Sequence, residues 1–408
     1  MANFSPFELL KILTPRMIAR GLIYPCRAAF HVTRSSQPDL RGLAFWRAVA
    51  AWLLSPPEPA RPPLEAFSFP GDITAVEAGE RGAIIIRAGG GALRVLPLAP
   101  DLLQIRVSLT GVFPEAFSYS LEKPESAWLP VEMSVRESDS QIELSTGRLT
   151  LVIEKSPCRL SLRDGDGLLF EEIEGVGHHA PDGQIVWRTA LDEDTAFYGL
   201  GEKASRLNLA GQRFELWNFD PGGYDRGDDP LYMSIPFLLA LSGGRALGLF
   251  FDNPYRAWVD LGTETPGLLE YRAAGGEFRL YLMVGTPAEV LERYTELTGR
   301  TKLPPLWALG FHQSRWSYYP QDRVLEIARE FRERRLPCDV IHLDIHYMDD
   351  YRCFTWNRDR FPAPRKMLAD LREKGFRAMA IIDPGIKVDD QYAVYREGVR
   401  RDVFVKYP

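Results

Sequence analysis

Residues 307–387 alternate three times between a short apolar run and an amphipathic stretch, which narrows the fold more than any other feature. The runs are 307–319 (WALGFHQSRWSYY), 338–352 (CDVIHLDIHYMDDYR) and 376–387 (FRAMAIIDPGIK). Between the first two, Val324, Ile327, Ala328 and Phe331 recur at helical spacing within 321–335. Between the second and third, Met367, Leu368 and Leu371 do so within 363–374, and Gly375 supplies a stop. Strands separated by helices in this way lie parallel, in a (β/α)8 barrel or a doubly wound sheet. The spacing places strands at 308–312, 340–343 and 376–382, with a further helical run at 391–401.

In either architecture ligands sit beyond the carboxyl ends of the strands. Asp344 ends the second strand and so falls in that zone, with Ile345 beside it. Asp is also common at helix N-caps and in turns, and the residues alone leave both readings open. Strand alternation puts His342, Asp344 and His346 on one side. Two histidines could begin a metal site, but no third ligand is evident. Trp316, at the end of the first run, is either a platform for a ligand or an inter-strand core residue, and the strand-end rule favours the platform.

The chain ahead of this region has a different texture. Residues 5–30 and 39–54 read as two basic, amphipathic helices, suited to packing on a neighbouring domain or a second subunit. Residues 55–63 (SPPEPARPP) form an extended linker within a boundary zone at 55–66. Residues 67–303 carry many short strands, among them 83–87, 102–108, 141–145 and 149–153, separated by turns at 89–91, 164–167 and 243–244. That pattern means a β-sandwich or barrel. The glycines at 89–91 are not a phosphate loop, since no Gly-Lys-Ser/Thr follows, and 164–167 lacks the remaining oxygen ligands of a calcium loop. A helix at 286–300, with Val290, Leu291, Tyr294 and Leu297 on one face, precedes Pro304-Pro305. From spacing alone, Asp220 in WNFDPGG (217–223) is an acid in an Asp-Pro-Gly turn.

A net charge of −6 gives no reason to expect nucleic acid or an anionic membrane as partner. Cys26, Cys158, Cys338 and Cys353 have neither disulfide-framework nor zinc spacing, and they fit a reducing, cytoplasmic compartment. Residues 1–24 interrupt their apolar positions with Glu8, Lys11, Arg16 and Arg20, so no secretory signal is read there.

PPLWALGFHQSRWSYY, HLDIHYMDDYRCFTWNRDRFP and IIDPGI resemble successive barrel strands of glycoside hydrolase family 31. FYGLGEK (197–203) and ELWNFDPGG (215–223) resemble that family's N-terminal domain. The resemblance runs from about residue 66 to the last. It implies a galactose mutarotase-like β-sandwich followed by the first part of a (β/α)8 TIM barrel, the whole preceded by the short helical N-terminal segment. It further implies hydrolysis of terminal α-glycosidic bonds, foremost by an α-glucosidase, with net retention, no cofactor and an oligosaccharide or α-glucoside substrate. A homo-oligomer is compatible with it. On this resemblance Asp344 accepts hydrogen bonds from sugar hydroxyls, Ile345 and Ile386 wall the same pocket, Trp316 offers an indole face, and Asp220 reaches the barrel mouth from the sandwich. Many relatives have an acid where this chain has His346. A retaining glycosidase needs two carboxylates ~5–5.5 Å apart. The family's nucleophile motif, Trp-x-Asp-Met-Asn-Glu, is absent from residues 1–408, so nucleophile and acid/base are expected beyond residue 408. The competing expectation is a non-catalytic carbohydrate-binding or structural fragment.

Overall fold

The computed structural model describes residues 61–406 except 116 and 222. The helices read at 5–30 and 39–54, the linker up to residue 60 and Cys26 lie outside the described residues. The chain divides into two compact units between Arg300 and Thr301.

The first unit is a sandwich of two antiparallel sheets, one of eight strands and one of nine. Gln141–Ser145 and Leu268–Ala273 alternate in burial residue by residue, as strands with one wet face must. Their inward side chains meet those of the other sheet in a core that includes Ile86, Val95, Ile105, Ile142, Leu151 and Trp187. Phe251 and Tyr271 stack across it with ring centroids 4.1 Å apart. Arg245–Phe251 and Phe278–Gly285 are instead buried almost throughout, because helix α1 (Pro287–Thr298) covers their outer face. Thr286 and Glu289 close a capping box at its start. Val290 and Leu297 join Phe250, Tyr281 and Met283 in a second core. A Cβ at Gly248 would lie 2.5 Å from the Val290 Cγ1, so glycine there lets the helix approach the sheet. Leu291 corrects the sequence reading: it is 48% exposed rather than on the packed face. The turn at 164–167 is held by Asp164, which takes the Asp166 N–H at 2.9 Å and Arg245 at 2.7 Å.

Glu172 is a buried acid of the sandwich. Its oxygens accept from Trp187 Nε1 at 2.6 Å and the Leu160 N–H at 2.8 Å. Burial pushes its carboxyl up to about 7 against the pull of those bonds and of Arg159. Burial also drives His178 down to about 4, and its Nε2 has no partner among the described residues. The Glu172 contribution to stability is complete below the ordinary 4.5 and is lost as pH rises through about 7. The His178 contribution is complete above the ordinary 6.5 and is lost as pH falls through about 4. The two slopes oppose each other, so they show only in a variant. Between pH 4.5 and 8 the stability of Glu172→Gln relative to the wild type should therefore rise by about 3 kcal/mol. A relative stability that does not change with pH in denaturant titrations would show that the carboxyl is not held protonated.

The second unit is a three-stranded parallel sheet with its connecting helices. Strand β1 is His312–Gln313, β2 is Val340–Leu343 and β3 is Arg377–Ala380, in the order β1-β2-β3. Helix α2 (Gln321–Glu333) links the first pair, α3 (Pro364–Glu373) the second, and α4 (Ala393–Arg401) follows β3. Val324 and Ala328 of α2 and Met367 and Leu371 of α3 pack on Ile341, Leu343 and Phe376, with Ile327 and Phe331 partly buried beside them. Cys158, Cys338 and Cys353 are free and buried.

Three expectations fail here. The strand placed at 308–312 is in fact a 3-10 turn, Leu306–Leu309, followed by the shorter β1. Pro305 starts that turn, and its carbonyl takes the Ala308 N–H at 2.9 Å, so pairing with β2 begins only at Phe311. The third strand stops at Ala380, although the Ile381 N–H still reaches the Leu343 carbonyl at 3.0 Å. Leu368 is 38% exposed, at the rim of the α3 packing face.

Candidate functional site

Strand β2 ends at Leu343, and the chain turns at once into a 3-10 turn, Ile345–Tyr347. Asp344 caps that turn: its Oδ1 accepts the Ile345 N–H at 2.7 Å. The cap and the strand-end acid are thus the same residue. The cap orients the carboxylate, and Oδ2 has no protein hydrogen bond among the described residues. A carboxylate held by one oxygen at the carboxyl edge of a parallel strand can accept a hydroxyl donor with the other.

The turn overturns the expected alternation, because His346 is not on a strand. It reaches Asp344's surroundings by another route. Its Nδ1 lies 2.6 Å from Ser317 Oγ, and its ring stacks on Tyr319 at 4.9 Å and 19°. The Arg360 guanidinium covers the Tyr319 ring at 4.9 Å and reaches the His346 carbonyl at 3.3 Å. Trp316 lies 6.1 Å from the imidazole, and Tyr351 meets it edge-on at 6.0 Å. Burial and the Arg360 charge hold the His346 pKa below its usual value, against the attraction of Asp344. A neutral imidazole beside an acid is a hydrogen-bonding wall rather than a second charge.

Trp316 sits three residues past β1, not at its end, and is 56% exposed. Among the described residues, that exposure supports the platform reading. Trp316→Ala should accordingly leave the melting temperature nearly unchanged, where a core tryptophan would cost ~3–5 kcal/mol. In a complete enzyme it should weaken a glucose-like inhibitor severalfold. A large drop in the melting temperature with unchanged inhibition would return Trp316 to the core. Ile345 and Ile386 are both partly buried against the barrel unit's core. Ile386 belongs to the irregular segment after β3, which Tyr347 and Tyr392 tie down, the first through its bond to the Ile381 carbonyl and the second through Cys353.

His342 pairs with His312 on β1, Nε2 to Nδ1 at 3.1 Å, and not with His346. Among the described residues no group of three His, Cys, Asp or Glu could hold a metal ion. The acids after the turn are engaged as well. Asp389 grips Arg352 at 2.6 Å, and Asp350 pairs with Lys387, whose bond lowers the Asp350 pKa.

In the sandwich unit, Asp220 is exposed near the start of a loop from Leu216 to Ser234. Lys203 anchors that loop. Its side chain is 3% exposed, and Nζ donates to the Glu215 carbonyl and to Asp229 Oδ1, each at 2.6 Å. Asp229 Oδ2 accepts the Glu215 N–H at 2.5 Å, and Asn218 accepts the Ser234 N–H at 2.7 Å. The Asp220 charge, after burial, helps raise the Tyr232 pKa. Sequence reasoning assigned nothing to Asp229, Ser317, Tyr319 or Arg360. The lysine closing FYGLGEK was a signal for the first of these: a lysine next to a glycine-rich strand end needs an acid partner if it is buried.

Residues 301–408 match the family model for the glycosyl hydrolases family 31 TIM-barrel domain. Residues 92–260 match the glycosyl hydrolase 31 N-terminal galactose mutarotase-like domain. The chain is 43% identical over 281 residues to alpha-glucosidase 2 of Bacillus thermoamyloliquefaciens, covering 68% of this chain and 36% of that one. It is 38% identical over 217 residues to an alpha-glucosidase of Saccharolobus solfataricus, covering 53% and 31%. A family 31 dextranase from Flavobacterium johnsoniae, solved as a mutant with isomaltotriose, superposes with a TM-score of 0.71 at 30% identity, over 77% of this chain and 38% of that one. The chain thus spans about a third of the length of these relatives.

Proposed function

The chain belongs to glycoside hydrolase family 31, with a mutarotase-like sandwich and the start of a TIM barrel, and from that premise we propose that it is the sugar-positioning part of a retaining α-glucosidase. The observation that carries the reading is Asp344, placed at the carboxyl edge of β2 with one oxygen locked and the other open. In this reading Oδ2 accepts hydroxyl protons of the terminal glucose. Ile345 and Ile386 wall the pocket, and Trp316 covers a C–H face of the ring. The neutral His346 bonds to a further hydroxyl. Nucleophile and acid/base come from sequence beyond residue 408, and no cofactor takes part. The names of the relatives support glucose as the sugar.

A panel of aryl α-glycosides on the full-length product tests this. The α-glucoside should be cleaved fastest, ahead of the α-xyloside and α-galactoside, with the α-anomer of glucose released first. Preference for another sugar, or release of the β-anomer, would overturn the assignment. The absence of Trp-x-Asp-Met-Asn-Glu from residues 1–408 favours a second reading, a non-catalytic carbohydrate-binding chain. Sequencing the DNA downstream for that motif separates the two.

A further inference from the structure

A cavity of about 550 Å3 is lined entirely by residues of the sandwich unit, within the ~300–1,000 Å3 range of small-molecule sites. Phe117, Tyr119, Trp217 and Tyr255 line it and are 69%, 96%, 40% and 52% exposed. Such a cluster of exposed rings marks a binding surface more often than chance.

The rings are held in place. Ser118 Oγ donates to Asp252 Oδ1 at 2.6 Å and Arg279 Nη1 to the Phe117 carbonyl at 3.2 Å, which fastens the segment carrying Phe117 and Tyr119. Those two rings stand edge to face at 4.7 Å. The Tyr255 N–H donates to Asn253 Oδ1 at 2.8 Å, and Asn253 Nδ2 donates to the Gly275 carbonyl at 2.9 Å. A Cβ on Gly275 or Gly276 would come within 2.9 or 2.8 Å of the Tyr255 ring. The two glycines therefore let that ring lie flat on the turn. Platforms fixed before binding lose little entropy when a ligand arrives.

The charges cancel. Arg279 bridges Asp252 at 2.8 Å and Glu277 at 3.1 Å, and Arg106 grips Glu277 at 2.5 and 2.9 Å. Two guanidiniums thus meet two carboxylates, which leaves no cation over for a phosphate. Ser234 Oγ and Arg279 Nε, on residues that line the cavity, have no partner among the described residues, although buried polar atoms normally find one. Flat aromatic faces beside neutralised hydrogen-bonding groups match a ligand with apolar faces and many uncharged hydroxyls.

We propose that this cavity of the sandwich unit binds a neutral hexose oligosaccharide, whose C–H faces rest on Tyr255 and Phe117. It does not depend on the reading of Asp344, and its test is built to show this. Saturation-transfer NMR with maltotetraose, on the full-length product carrying Asp344→Ala, should give transfer to the sugar protons. Adding Tyr255→Ala or Phe117→Ala should weaken the titrated affinity about tenfold, while the melting temperature stays constant. No transfer in the Asp344→Ala background would overturn the proposal. So would affinities that neither aromatic substitution changes.

Discussion

Asp344→Ala, made in an enzyme with a complete barrel, should lower kcat/KM for an aryl α-glucoside by about 10²- to 10⁴-fold. The reason is the loss of up to two charge-assisted hydrogen bonds, each worth ~1.5–3 kcal/mol. The same substitution removes the cap on Ile345–Tyr347, which costs ~1 kcal/mol of stability. Asp344→Asn separates the two effects. An asparagine Oδ1 can still accept the Ile345 N–H, so stability should stay near that of the wild type while most of the kinetic loss remains. Asn kinetics close to wild type, with Ala losing only stability, would make Asp344 a cap and nothing more.

Residues 1–408 expressed alone should be oligomeric or poorly soluble and should hydrolyse no α-glucoside. Among the described residues, β1 and β3 of the barrel sheet have a single partner each, and an open edge recruits other chains. Apolar surface accompanies it: Phe311 is 50% exposed, Met379 and Ile381 each 43%, and Ile382 47%. The sandwich, by contrast, should fold alone as residues 67–303. Both of its cores are built from its own residues. Size-exclusion chromatography of the two proteins, with an aryl α-glucoside assay, is the measurement. A monomeric residue 1–408 chain with hydrolytic activity would place both catalytic carboxylates inside these residues and refute their assignment to sequence beyond them.

Much of the frame was legible because local chemistry and packing agree. The helix expected at 286–300 is there as Pro287–Thr298, with Val290 and Leu297 buried. Val324 and Ala328 recur at helical spacing, and both are fully buried. Periodicity failed where its assumptions did. It counts Leu291 and Leu368 as core because they are apolar, yet each sits at the rim of its helix face. It extended the first barrel strand through residues 308–310, where the Pro305 carbonyl draws the backbone into a turn instead.

The sequence by itself determined the two-part architecture, the parallel strand–helix repeat and the delivery of Asp344 at a strand's carboxyl end. These follow from periodicity, from turn residues and from the position of apolar runs, all of which are local. Only the tertiary structure decided what Asp344 and the histidines touch. The register His312↔Val340 brings His312 to His342, and the 3-10 turn carries His346 off the strand face to Ser317 and Tyr319. Lys203 finds Asp229 across 26 residues. Such pairings depend on which strands lie side by side and on where a turn interrupts the pleat, and a side chain's neighbours in space are not encoded in its spacing along the chain.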